Sequence, residues 1–127
     1  MADYLLDTNI LILHLRGRKD VSTLLTKWSK TGTLFISVVT RTEILAGMHL
    51  HQTKRTMALL NSLMTINVDE AIADQAGRLI YQYARKNIQL SVPDTLIAAT
   101  ALQHNLILAT TNTKHFPMPT LRLHPVP

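Results

Sequence analysis

Short apolar runs of strand-like composition alternate with segments of helical period along nearly the whole chain, and no other feature restricts the architecture as much. Strand followed by helix, repeated, implies parallel strands joined by helical crossovers. The expected fold is α/β, with a mostly parallel central sheet of about five short strands and helices on both faces. The 127 residues suit one domain, residues 1–127, long enough for a real core and too short for two. There is no internal repeat, low-complexity tract or interdomain linker.

The pattern predicts strands at Tyr4-Leu5-Leu6, Leu34-Phe35-Ile36, Ile66 to Val68, Leu106 to Ala109 and Leu121-Arg122-Leu123. Between them, helices are expected from Ile10 up to Gly17, over Val21 to Lys30, from Thr40 towards His51, and around Met57, Leu60 and Leu63. Ile72, Ala76, Leu79, Ile80 and Tyr83 recur at helical spacing behind Asp69-Glu70, with Arg85-Lys86 at the far end, opposing the helix dipole. Pro93 stands where a first helical turn tolerates proline. The segment after it is apolar nearly all round and is expected to be buried, ending at His104-Asn105, where Asn can take a left-handed turn.

Composition removes several functions. Without cysteine, a disulfide framework, thiolate zinc sites and thiol nucleophiles are excluded, in keeping with a reducing compartment. An acidic start, MADYLLDTN, and the lack of an apolar stretch of about 18 residues give no signal peptide or membrane span, so a cytoplasmic protein is expected, with no membrane partner. The four glycines are unclustered, so no phosphate-binding glycine loop exists. His49 and His51 are two apart, which on a helix points them away from each other, and without an HExxH pattern a zinc protease is excluded.

Three acids, Asp7, Glu43 and Asp94, each fall where a strand-like run gives way to a helix-like one. Parallel strands deliver their carboxyl ends to one crevice, so these acids are expected to converge there. Each also has a structural explanation: Asp7 as an N-cap, Glu43 closing a capping box with Thr40, and Asp94 as a first-turn charge. Grouped, they are costly, since carboxylates about 5 Å apart repel by roughly 3 kcal/mol at an effective dielectric near 20. Hard cations such as Mg²⁺ or Mn²⁺ suit such an oxygen set. Charge supports the same picture: thirteen Lys and Arg face eight Asp and Glu, a net +5, and without these three acids only five remain. A cationic body around an anionic pocket suits a polyanionic substrate, although solubility alone explains a positive charge.

The segments around the acids, LLDTNILI, ISVVTRTEILAG, PDTLIAATAL and ATTNTKHF, resemble the four motifs of PIN-domain ribonucleases, most closely the VapC toxins of bacterial and archaeal toxin-antitoxin pairs. Four short motifs in register, over almost the whole chain, are specific where DTN by itself is not. The resemblance implies a PIN-like fold and metal ligands at Asp7, Glu43 and Asp94, with Asn112 as the fourth catalytic position, where some relatives have Asp. A neutral Asn carbonyl holds a second ion weakly or through water, leaving one ion or two open. His115, where relatives often carry an acid, could touch substrate or leaving group. Thr8, Asn9 and Thr110 could orient carboxylates or water, as they could also serve as cap or turn residues.

The implied activity is a Mg²⁺-dependent, or Mn²⁺-dependent, endoribonuclease acting on tRNA or rRNA, leaving 5′-phosphate and 3′-hydroxyl ends. Implied partners are RNA, a cognate VapB-type antitoxin pointing an Arg at the acids, and a second copy of the chain, the homodimers assembling as dimers of the toxin-antitoxin complex. Arg16, Arg18, Lys19, Arg41 and Lys114 are the basic candidates for the RNA path, His115 joining them. With three Tyr, two Phe and one Trp, no base-stacking platform is evident. Competing readings are a DNA-acting PIN nuclease and a non-catalytic RNA-binding or assembly subunit with a decayed site, which only Asn112 favours. An aspartyl phosphatase using Asp7 would need an acid where Asn9 stands.

Overall fold

A computed structural model describes residues 3–127. Five short strands form one sheet: β1 (Tyr4–Leu6), β2 (Leu34–Ser37), β3 (Met64–Ile66), β4 (Ile107–Thr110) and β5 (Leu123–Pro125). Every pairing is parallel and the order is β3-β2-β1-β4-β5. Six helices connect them: α1 (Thr8–Leu15), α2 (Lys19–Ser29), α3 (Val38–Gly47), α4 (Thr53–Ser62), α5 (Glu70–Ala84) and α6 (Val92–His104). Single 3₁₀ turns occupy Leu50–Gln52 and Thr113–His115. The chain thus winds outward from β1 through β2 to β3, then returns to the other side of β1 for β4 and β5. Strand order therefore reverses beside β1, and in open parallel sheets the crevice at such a reversal is where ligands bind.

Period-2 geometry splits the core into two layers. Neighbouring residues on a strand point to opposite faces, and Leu5 and Leu108 pack with Tyr83, Ile97, Ala98 and Phe116 on the α5–α6 side. Leu6 and Ala109 pack with Ile10, Leu11, Leu25 and Trp28 on the α1–α2 side. Leu5, Leu6 and Leu108 are fully buried, and burial of such a side chain contributes about 1.5–3 kcal/mol. A central strand covered on both faces must be apolar throughout, and the sequence of β1 obeys this up to its last residue. The next residue is Asp7.

Local chemistry sets the helix ends. Asp69 caps α5 by accepting from the Ile72 N–H at 2.9 Å. Ser91 caps α6 by accepting from the Asp94 N–H at 3.2 Å, and Asn105 ends α6 in the left-handed region at φ 54°. α6 buries Ile97, Ala98, Ala99, Thr100 and Ala101, as its all-round apolar sequence predicts.

Beyond shifts of one or two residues at the ends of α1, α2, β2 and β4, the observed elements depart from the sequence expectations in four places. β3 runs Met64–Ile66, not Ile66 to Val68, because pairing of Phe35 with Met64 and Ile36 with Thr65 sets its register. β5 is Leu123–Pro125, not Leu121 to Leu123; it is an edge strand, so Pro125 can lack an N–H without breaking the ladder. α3 begins at Val38 under a Ser37 cap, whose Oγ accepts from the Val39 N–H at 3.1 Å. Thr40 and Glu43 are therefore not a capping box. His49 and His51 also do not diverge: in the 3₁₀ turn their rings stack with centroids 5.8 Å apart.

Candidate functional site

The β1–β4 reversal places Asp7 at the carboxyl end of the central strand, where it also caps α1. Its backbone N–H donates to the Ala109 carbonyl of β4 at 2.9 Å, fixing it against the neighbouring strand end. The side chain is only 4% exposed. Thr8 N–H donates to Oδ1 and the Thr110 hydroxyl donates to Oδ2, both at 2.8 Å. Burial nevertheless raises the Asp7 pKa above its ordinary 3.8, against the lowering pull of the two hydrogen bonds, and the charges of Asp94 and Glu43 add to the rise. Asp7 thus senses both other acids across the crevice.

Glu43 comes from the second turn of α3 and not from the strand-to-helix junction itself, a consequence of the earlier Ser37 cap. The Thr8 hydroxyl donates to Glu43 Oε1 at 2.7 Å. With its one proton so placed, Thr8 accepts from Thr40, whose Oγ1 is 3.0 Å away. Asp94 stands in the first turn of α6, half-buried, and its Oδ2 lies 3.4 Å from His115 Nδ1. The Asn112 backbone N–H donates to Thr110 Oγ1 at 3.0 Å, so Asn112 is linked to Asp7 through one hydroxyl.

Glu43 and Asp94 are therefore close enough for their charges to act on Asp7, and the Asn112 backbone is joined to it through Thr110, but the acids do not close into a cage. Among the described residues no three His, Cys, Asp or Glu side chains stand close enough to hold a metal ion as they lie. Mutual repulsion favours spacing, and Thr8 and His115 engage two of the three. The donor chemistry still fits a hard divalent cation: carboxylate oxygens only, the central one raised in pKa by its burial and, to a lesser degree, by the neighbouring acids.

The remaining candidates separate clearly. Thr8 and Thr110 touch the carboxylates, whereas among the described residues no hydrogen bond joins the Asn9 side chain to an acid. Lys19, Lys114 and Arg16 are exposed, and Arg16 borders a groove that reaches Glu43. Arg18 is half-committed: it forms a bidentate pair with Asp20 at 2.9 and 3.0 Å and also donates to the Pro127 carbonyl. Arg41 is structural, donating to the Leu60 carbonyl and Thr65 Oγ1, each at 3.3 Å, and to Asn61 Oδ1 at 3.2 Å. It ties α3 to α4 and β3, a structural role beside the one expected of it. Thr40 went unassigned as a site residue, although its spacing of three from Glu43 puts both on one helical face.

A parallel sheet whose strand reversal carries a buried aspartate faced by two further acids defines an α/β protein organised around an acidic crevice. Comparison with known proteins gives it a family. Residues 4–118 match the PIN domain family model. Ribonuclease VapC10 of Mycobacterium tuberculosis is 40% identical over 90% of this chain and 86% of its own length. The structure superposes on that of VapBC2 from Rickettsia felis bound to a promoter DNA fragment with a TM-score of 0.88, at 25% identity over 98% of this chain and 99% of that one. A toxin-antitoxin complex from Klebsiella pneumoniae gives a TM-score of 0.81 at 34% identity, covering 97% of this chain and 98% of that one. The chain belongs to the PIN-domain family and, within it, to the VapC group.

Proposed function

We propose that this chain is the toxin of a type II toxin-antitoxin system, an endoribonuclease that hydrolyses RNA phosphodiester bonds at the crevice of Asp7, Glu43 and Asp94. The observation that carries the reading is the buried Asp7 carboxylate at the strand reversal, charged against two further acids. Its similarity to a named ribonuclease and to toxin-antitoxin complexes supports the same reading.

Asp7, Glu43 and Asp94 would hold a divalent cation, Mg²⁺ or Mn²⁺. Such an ion, once bound, polarises a phosphate oxygen and lowers the pKa of a water. The chain's own residues do the positioning. Thr8 N–H and the Thr110 hydroxyl lock both oxygens of Asp7, and Asn112 N–H in turn orients that hydroxyl. Thr40 and Thr8 act likewise on Glu43. His115 is exposed at the mouth beside Asp94, where it can meet the substrate or the departing 3′ oxygen. Attack of water on phosphorus breaks the P–O3′ bond and leaves a 5′-phosphate and a 3′-hydroxyl, with no covalent enzyme intermediate. Arg16, Lys19 and Lys114 supply cations around the crevice for phosphate positioning. A cytoplasmic location follows from an RNA substrate, and no helix among the described residues is long and apolar enough to cross a membrane.

The groove beside Glu43, about 450 Å³, is bordered by Ile12, Leu15, Arg16, Ile44 and Met48. Its apolar walls and acidic end suit an antitoxin segment that buries apolar side chains and aims an Arg at the carboxylates, pairing with them and excluding substrate. A homodimeric toxin assembled in dimers with its antitoxin completes the proposal.

The test is cleavage of total cellular RNA with Mg²⁺, Mn²⁺ or EDTA by wild type, Asp7→Asn and Thr110→Val, with sequencing of new 5′-phosphate ends. Wild type should make discrete metal-dependent cuts. Thr110→Val should lose about 10–100-fold, the usual effect of removing a partner that orients a ligand, and Asp7→Asn should lose more. Undiminished cleavage by Asp7→Asn removes this crevice from the chemistry.

A further inference from the structure

The outer face of α5 carries an exposed aromatic residue framed by cations. Tyr81 is 64% exposed, a large apolar area to leave in water on a protein with a full core. Arg78 and Arg85 lie three before and four after it, so all three share one stripe of the helix. The Arg85 guanidinium carbon is 5.7 Å from the Tyr81 ring centroid, and Arg85 Nη1 donates to the Tyr81 hydroxyl at 3.1 Å. The ring is thereby held in one orientation. Beside it runs a shallow groove bordered by Ala73, Asp74, Gly77, Arg78 and Gln82. Nothing lies within 4 Å of where a Gly77 Cβ would be, so the helix leaves room one turn below the ring.

The stripe also has a direction. Gln103 donates to Gln75 at 2.8 Å, pairing the start of α5 with the end of α6, so the two helices are antiparallel. Tyr81 and Arg85 therefore sit towards the end of the hairpin where Ser91 and Asp94 begin α6. Tyr83, in the same last turn, donates its hydroxyl to the Pro117 carbonyl at 3.2 Å, tying this end of α5 to the loop that bears Lys114 and His115. Asp74 marks the other end, farther from the acids. Positive charge is thus concentrated at the end of the stripe on the side where α6 begins with Ser91 and Asp94.

We infer that the Arg78–Tyr81–Arg85 stripe is a docking surface for single-stranded RNA, on which a base flanking the cut site stacks on Tyr81 while Arg78 and Arg85 hold the adjoining phosphates. It supplies the stacking element that the sparse aromatic content of the sequence does not suggest. The inference rests on the ribonuclease reading and extends it to how the substrate is held. An exposed π-face accepts any base, so this surface adds affinity and direction but little sequence choice.

The test is fluorescence anisotropy with a labelled single-stranded oligoribonucleotide in EDTA, where binding is read without cleavage, over a range of NaCl. Tyr81→Ala should weaken binding about tenfold, within the range expected for loss of one stacked base, and Tyr81→Phe should restore most of it. Arg78→Gln and Arg85→Gln should each reduce the slope of log affinity against log salt by about 0.7, one phosphate contact on a single strand. Wild-type binding and metal-dependent cleavage with unchanged affinity in Tyr81→Ala overturns the docking surface and leaves the nuclease reading standing. Wild type that neither binds nor cuts RNA overturns both. If Tyr81→Ala changes only the sedimentation of the protein, the stripe is an interface between copies of the chain and the inference fails.

Discussion

Asp7 concentrates the conflict on which the site depends. Its carboxylate is buried next to two like charges, and only two hydrogen bonds compensate. In the unfolded chain it ionises near 3.8, and in the folded chain higher. Above the folded pKa both states are ionised and the folded state bears the full desolvation cost; below 3.8 both are neutral and the cost is gone. Stability contributed by this residue therefore increases as pH falls through the folded pKa towards 3.8. Asp7→Asn should be more stable than wild type near neutral pH in EDTA, and the gap in urea midpoint should narrow as pH is lowered towards about 4. A gap that stays constant with pH would mean Asp7 is not held against its charge. The identity of this residue was legible in the sequence, since an acid directly after a fully apolar central strand is conspicuous. Its partners were less so: Thr8 and Thr110 stood out as neighbours of motif residues, whereas Thr40 was obscured by an apparent capping box.

At the scale of elements, α6 shows how a local cap becomes a functional device. Ser91 accepts from the N–H of Asp94 itself and its carbonyl accepts from the Thr95 hydroxyl at 2.6 Å, so one serine sets the start of the helix and holds the backbone turn from which an acid projects. Ser91→Ala should cost about 1 kcal/mol of stability, read from urea denaturation, and should also lower metal-dependent cleavage under conditions where the variant is fully folded, because the turn carrying Asp94 loses its cap. Cleavage equal to wild type would make Ser91 a cap only. The helices themselves were readable because periodicity and caps act within a few residues. Strand ends were read less well. β3 and β5 shifted by two residues because pairing with β2 and β4 sets their registers, and α3 began earlier because Ser37 outcompeted Thr40 as cap.

For the whole molecule, the acidic crevice on a chain of net charge +5 makes an ion the natural complement of the fold. A ligand that binds only the folded state adds about 2.7 kcal/mol at a hundred times its Kd. Mn²⁺ or Mg²⁺ should accordingly raise the melting temperature of wild type in a concentration-dependent way and leave Asp7→Asn almost unmoved. An equal rise in both proteins would place the ion elsewhere.

By itself the sequence determined the alternation of strands and helices, the apolar central strands, the buried α6 and the identity of the acids. Each of these depends on side-chain period or on chemistry spanning a few residues. Tertiary structure alone decided the order β3-β2-β1-β4-β5, which puts Asp7 at the strand reversal, and the positioning of Glu43 by Thr8 and Thr40 across α1 and α3. It also decided what each arginine meets: Arg41 donates to α4 and β3, whereas Arg85 pairs with the exposed Tyr81 ring that Arg78 flanks on the other side. Such assignments rest on contacts between residues distant in the chain, and their partners are set by which surfaces pack together, information that no local window contains.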